Sequence, residues 1–344
     1  MTVIGVCVLA VLAGLVAVVR WGGLTVEPPR VPTRAPSGDP GDPAEPPAVA
    51  LVVRRYLWAV NLAVVAGVGA GVLAAGAGGR LVMRLLAVTA GDGAQGRLTE
   101  ADQVVGRISA GGTAGFVIFT ALFLGTATGA AYLLVRRWLP AGRAGGLVYG
   151  VLLLLLGGTR LEPLREGNLD FDLVGPGWVS VATFSALVLF HGMLVAALAG
   201  RASRAVPLLG RDPRAIAAHA PLLLLAPLAP VVAILVVVGA LAVLATRARP
   251  VIAAWHARRL VPAGQLVLAL AALAALPGFV SAVTSILGRA SRGAGQPARS
   301  NSSTTSPSSR LKVPGSSSMR KCPTPGMTTG RTPWRRSASE SVGR

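Results

Sequence analysis

One histidine lies near the middle of a long apolar segment. His191 follows Phe190 and precedes Gly192 within residues 178–200, which carry no other ionisable side chain. A titratable group at that depth in a membrane is costly and often marks a proton or substrate path. The alternative is a neutral imidazole that hydrogen-bonds to a neighbouring helix. No Asp or Glu lies centrally in any apolar segment, although ion-coupled carriers usually need such a carboxylate.

Two arginines and an acidic loop form the second candidate group. Arg80 and Arg84 are four residues apart, so they project from one face of a helix. They can snorkel to the membrane interface, or they can face the bundle interior and bind an acidic partner. Three acids of the loop 160–177 are the candidate partners: Glu162, Asp170 and Asp172. The last two also resemble the D-x-D pattern with which some sugar transferases hold a divalent metal, but hard cations take about six oxygen ligands.

The sequence offers little support for other chemistry. Cys7 and Cys322 stand at opposite ends of the chain and only three histidines occur, so His/Cys zinc sites are excluded. Residues 69–74 match a glycine pattern of dinucleotide sites, but that pattern requires a preceding strand and here lies inside an apolar segment. No phosphate-binding loop, HExxH or GxSxG motif occurs, and no basic stretch is interleaved with stacking aromatics. We therefore expect no cofactor, no metal and no nucleic-acid partner, which favours a non-enzymatic protein.

Membrane helices must position these candidates. Charged residues make up 13% of the 344-residue chain, whereas soluble domains carry about 25%. A helix needs about 20 apolar residues to cross ~30 Å of hydrocarbon. The sequence predicts an all-α, polytopic transmembrane helix bundle with six core spans and one N-terminal anchor helix. We interpret the short fourth of seven apolar segments as a full span. The seven segments are 3–19, 56–79, 113–135, 144–159, 178–200, 221–245 and 264–287.

Small residues recur at every fourth position in three of these segments. Faces of this kind let helix backbones approach closely in lipid. They can also line a substrate path, but close packing explains the spacing more simply. We expect the faces to pack against partner helices or a second copy of the chain. The repeating residues are Gly67, Gly71, Ala75 and Gly79, then Gly125 and Gly129, then Gly146 and Gly150.

Composition divides the chain into four parts. These are an anchor at 1–20, a Pro-rich linker at 21–53, the bundle at 54–288 and a basic Ser/Pro/Arg-rich tail at 289–344. An anchor is favoured over a signal peptide because Arg20 follows the apolar core and no basic residue precedes it. The tail contains both lysines of the chain. It is either a disordered segment that touches anionic lipid or the product of a shifted reading frame.

Two stretches carry a family resemblance. The LVMRLLA and GRLTEADQVVGR motifs within residues 80–112, and the LEPLREGNLDFDLVGPGW stretch of the acidic loop, resemble those of multi-pass membrane proteins of GC-rich actinobacteria. The resemblance covers residues 54–288. It implies a bacterial cytoplasmic membrane, and the family supplies no assigned activity.

Loop charges predict an orientation. Seven crossings would put twelve loop arginines on the side of the C-terminus and ten on the other side. Basic loops stay in the cytoplasm, so this count and the basic tail together predict an outside N-terminus and an inside C-terminus.

Three functions follow from these observations. The first is a non-enzymatic protein that packs, scaffolds or oligomerises in the membrane. The second is a small-solute or lipid permease that uses the glycine-lined faces and His191. The third is a lipid-linked membrane enzyme that uses the acids of the loop 160–177.

Overall fold

The described part of the chain is helical apart from one short hairpin. The computed structural model describes residues 2–29, 48–90, 94–98, 104–107, 109–160, 164–165, 176–245 and 260–294. Among these residues, five helices are long and apolar enough to cross a membrane, and three shorter apolar helices accompany them. The predicted all-α transmembrane bundle is confirmed. Linker residues 30–47 and tail residues 295–344 lie outside the described residues.

Two of the long helices contain a π-helical turn. The turn Gly71–Gly76 joins α2 to α3, and the turn Thr120–Gly125 joins α4 to α5. Each pair therefore forms one continuous rod. The helices of the described chain are α1 (Thr2–Trp21), α2 (Ala48–Ala70), α3 (Ala77–Thr89), α4 (Ala110–Phe119), α5 (Thr126–Val135), α6 (Arg143–Leu156), α7 (Gly177–Ala205), α8 (Pro213–Ala217), α9 (Ala229–Ala245) and α10 (Leu260–Ala294).

Residues 22–29 mark one end of the bundle, which we call the linker end. Arg136, just past α5, donates to the carbonyl of Val26 at 3.1 Å, and Arg143 at the start of α6 donates to that of Val19 at 2.7 Å. Arg204 near the end of α7 pairs with Glu27 at 2.7 Å. The opposite end carries residues 94–98 and 104–107, where Leu98 and Val104 form an antiparallel bridge. We call it the hairpin end.

The glycines of α2 and α5 bring two helix backbones into contact. A Cβ added at Gly67 would overlap the carbonyl of Gly125, and one added at Gly129 would overlap that of Ala63. Gly71 faces Ala121 in the same way. These glycine faces therefore meet each other within the chain, as short residues at a lipid-embedded helix interface do.

The π turn in the α2–α3 rod moves the small-residue face by one position. The four-residue spacing predicts Ala75 as the next member after Gly71. Instead Gly76 is buried, where an added Cβ would lie 3.1 Å from Val117. A π turn holds one extra residue, so the face continues at Gly76 and reaches Phe116 through Gly79.

Helix α1 lies inside the bundle rather than apart from it. Its residues Ala17 and Val18 belong to the main core cluster together with Ala70 and Leu194. Gly14 fits against the Phe190 ring. The predicted N-terminal anchor helix therefore contributes one face to the main core cluster, which also contains residues of α7.

Residues 213–245 form a hairpin that enters the bundle and returns to the linker end. Leu225 and Leu228 pack on Val64, about 14 Å beyond Arg55 along α2. Helix α9 then runs back along α2, because Tyr56, nearer the start of that helix, donates to the carbonyl of Leu235. The segment 221–245, predicted as a full span, is thus not one helix. Three prolines interrupt it, and proline breaks a helix interior: Pro221, Pro227 and Pro230.

The re-entrant hairpin of residues 213–245 determines at which end of the bundle the two ends of the chain lie. Helix α10 begins beside the linker end, where Gly264 touches the indole of Trp138. Its residue Ile286 packs with Leu154 near the opposite end. The first residue of α1 and the last turns of α10 therefore lie at the same end of the bundle. Seven crossings would have put them at opposite ends.

Gly67→Ala tests the backbone contact. The added methyl group has no room against the Gly125 carbonyl, and overpacking of this kind costs about 1–3 kcal/mol. We expect a lower thermal unfolding midpoint in detergent, read by size-exclusion chromatography after heating. Gly115→Ala in α4 is the matched control, since nothing lies within 4 Å of its added Cβ. Equal midpoints for both variants would contradict the contact.

Candidate functional site

His191 joins α7 to α5 through a threonine. Its Nε2 lies 2.9 Å from Thr128 Oγ1, and both side chains are buried. The Thr128 hydroxyl donates to the carbonyl of Gly125 at 3.0 Å. Because a hydroxyl has one hydrogen to donate, His191 Nε2 then carries the proton and donates to Thr128.

The other ring nitrogen of His191 is the unusual feature. In the neutral tautomer Nδ1 is an acceptor, and it makes no hydrogen bond of ordinary geometry among the described residues, although the backbone of Ala70 lies beside the ring. His191 lies about 20 Å from Trp178 and about 15 Å from Arg201 along α7, so it is near the middle of a ~30 Å hydrocarbon layer. An unsatisfied buried polar atom costs about 1–3 kcal/mol, so its presence requires an explanation.

Polar side chains continue from His191 toward the linker end. Thr128, Tyr132 and Arg136 are four residues apart and share one face of α5 and its 3-10 extension. Tyr149 of α6 donates to the carbonyl of Thr128, and its ring meets Tyr132 edge-on at 5.2 Å between centroids. The sequence analysis named His191 without these partners. The four-residue polar spacing on α5 was the available signal.

Arg80 and Arg84 bind backbone carbonyls near the start of α4. Arg80 donates to the carbonyl of Gly112, and its guanidinium lies 4.7 Å from the centroid of the Phe116 ring. Arg84 Nη1 lies 3.5 Å from the carbonyl oxygen of Gly106, at the limit of a hydrogen bond. Both arginines therefore hold the hairpin-end segment that leads into α4.

The three acids predicted to pair with Arg80 and Arg84 lie in a loop whose residues are mostly outside the described part of the chain. Glu162, Asp170 and Asp172 lie outside the described residues, so their pairing with Arg80 or Arg84 stays a prediction. Within the described ranges, no group of three His, Cys, Asp or Glu side chains could hold a metal ion.

A second buried polar joint, which was not predicted from the sequence, connects α2 to residues 215–219. Asn61 of α2 is fully buried and donates to the carbonyl of Ala218 at 2.9 Å. His219 Nδ1 lies 2.8 Å from the Ala215 carbonyl, which can only accept, so Nδ1 carries the proton. Asn61 Oδ1 and His219 Nε2 have no hydrogen-bond partner in the part of the chain that is described. The signal was an asparagine within the apolar segment 56–79.

Comparison with known proteins gives no relative from which to transfer a role. The chain matches no protein-family model, no curated protein and no solved structure.

Arg80→Gln and Arg84→Gln should differ in stability. Arg80 loses a charge-assisted hydrogen bond, worth about 1.5–3 kcal/mol, and its contact with Phe116. Arg84 loses a contact at the distance limit, worth less than about 1 kcal/mol. We expect the thermal midpoint in detergent to fall clearly for Arg80→Gln and hardly at all for Arg84→Gln. Near-zero shifts in the thermal midpoint of both variants would mean that both arginines only snorkel.

Proposed function

We propose that this protein is a non-enzymatic scaffold of a bacterial cytoplasmic membrane. The observation that carries the proposal is the backbone contact between Gly67 and Gly125. It closes the interface between α2 and α5, so no substrate passes between these two helices. The bacterial membrane rests on the resemblance of residues 54–288 to actinobacterial multi-pass proteins.

We also propose that both chain ends lie outside the cell. If the short helix α6 is counted with the five long helices, and residues 213–245 form a re-entrant hairpin, the chain crosses six times in place of seven. With that path, sixteen of the twenty-two arginines before residue 289 belong to stretches that begin or end at the linker end, and six to those at the hairpin end. The larger loop count supports a cytoplasmic linker end, whereas the eleven basic residues of the tail 289–344, which starts in the last turns of α10 at the hairpin end, count against it. The outside N-terminus agrees with the orientation predicted from the loop charges. The outside C-terminus replaces the inside C-terminus of that prediction.

Cysteine labelling tests this orientation. In a background of Cys7→Ala and Cys322→Ser, Leu98→Cys places a thiol at a residue that is 59% exposed at the hairpin end. Ala141→Cys places one at an exposed residue of the linker end. We expect a membrane-impermeant maleimide to label the first in intact spheroplasts and the second only after lysis. Native Cys322 in the Cys7→Ala protein should also be labelled from outside. The reverse pattern would contradict the proposed orientation.

A permease is the second candidate, and one observation favours it. His191 Nδ1 is buried near the bilayer centre and makes no hydrogen bond of ordinary geometry among the described residues. A permeating proton or hydrogen-bond donor would satisfy this nitrogen. The polar face of Thr128, Tyr132 and Arg136 leads from it to the linker end.

Vesicle permeability separates the two functions. Full-length protein is reconstituted with a pH-sensitive dye inside, and an acid pulse is applied outside. The scaffold predicts the same rate of internal acidification for wild type, His191→Leu and protein-free vesicles. It also predicts that His191→Leu and Thr128→Val change stability non-additively, with a coupling of about 0.6–1.7 kcal/mol. Protein-dependent acidification that His191→Leu abolishes would replace the scaffold by the permease.

A further inference from the structure

Three helix ends bring arginines together around the last turn of α1. Arg143 of α6 donates to the carbonyl of Val19 at 2.7 Å. The guanidinium carbon of Arg201 on α7 lies 5.9 Å from the centroid of the Trp21 ring. Arg20 is on the same turn, and all three arginine side chains are exposed. We call Arg20, Arg143 and Arg201, with Trp21, the arginine triad.

The triad has no acidic partner among the described residues. Glu27, the acid nearest in sequence, pairs with Arg204 at 2.7 Å, and its backbone N–H donates to Ser203. The negative end of the α1 dipole attracts cations to this turn, but one of the five donors of Arg143 suffices for the Val19 carbonyl. Arg143 and Arg201 therefore both contact the last turn of α1, which also carries Arg20, and all three side chains are exposed.

The depth of the triad matches the lipid headgroups. Arg201 lies about 15 Å from the mid-membrane His191 along α7, which is half of a ~30 Å hydrocarbon layer. Tryptophan also favours this interfacial zone. Trp21 would thus lie against the upper part of an acyl chain while the guanidinium groups reach the level of the phosphates.

We propose that the arginine triad binds the phosphate of an anionic membrane lipid. Guanidinium groups bind phosphate oxygens in a bidentate manner, and basic pockets between helix ends on the cytoplasmic side are suited to anionic headgroups. The site selects a lipid with net negative charge, such as phosphatidylglycerol, over zwitterionic phosphatidylcholine. The lipid bridges α1, α6 and α7, and so stabilises the junction of the linker end.

The test compares two double variants of the full-length protein with equal loss of charge. Arg20→Gln with Arg201→Gln removes two triad charges without removing a side-chain hydrogen bond described for either residue. Arg97→Gln with Arg107→Gln, at exposed residues of the hairpin end, is the matched control. Binding is measured by native mass spectrometry and by the thermal midpoint in detergent, with phosphatidylglycerol or phosphatidylcholine added.

We expect phosphatidylglycerol to bind the wild type and the control with equal affinity and to raise both midpoints. The triad variant should bind about 30-fold more weakly, since each arginine at an anionic surface contributes roughly fivefold. Equal weakening in both variants, or no preference over phosphatidylcholine, would overturn the proposal. If inorganic phosphate gives the same triad-dependent shift, the ligand is a free anion and the lipid assignment is wrong. Arg143→Gln adds a third measurement, and unchanged lipid affinity there would also contradict the triad.

Discussion

The contact between the backbones of α2 and α5 determines how the rest of the bundle is arranged. Lipid tails are as apolar as the helices, so close packing has to supply the attraction that water supplies in soluble proteins. Gly67 and Gly125 allow the shortest approach. That approach places Thr128, three residues after Gly125, at the same depth as His191 on α7. The π turns on both rods keep the small-residue faces in contact beyond this point.

The polar joints inside the bundle do not maximise stability. Interhelical hydrogen bonds in membranes contribute about 0.6 kcal/mol on average, while an unsatisfied buried atom costs about 1–3 kcal/mol. Among the described residues, the joint at His191 leaves one ring nitrogen without a hydrogen bond of ordinary geometry, and the joint at Asn61 and His219 leaves two polar atoms without one. Their net contribution is therefore small or negative. They specify which helix faces meet, or they serve a ligand, and permeability distinguishes the two roles.

Proline and arginine together explain the path of the chain at the linker end. Prolines turn residues 213–245 back before they reach the other side, and α10 then starts beside Trp138. The path with six crossings that we propose places most loop arginines at one end, which is the distribution expected of a cytoplasmic side. The arginine triad is one local result of this collection, because α1, α6 and α7 all present a helix end there.

The sequence by itself determined the helical membrane class, because hydropathy and the length of a span are local properties of the chain. It also identified His191 as a mid-membrane residue and the glycines as a packing face, since a period of 3.6 residues needs no knowledge of the fold. Tertiary structure alone decided that Gly76 replaces Ala75 in that face, because the π turn Gly71–Gly76 holds one more residue than the four-residue spacing predicts. It likewise decided the partners of Arg80 and His191, which come from residues 32 and 63 positions away in the chain. Local patterns give the direction of a side chain from its helix, whereas the identity of the group that it meets depends on how distant helices pack.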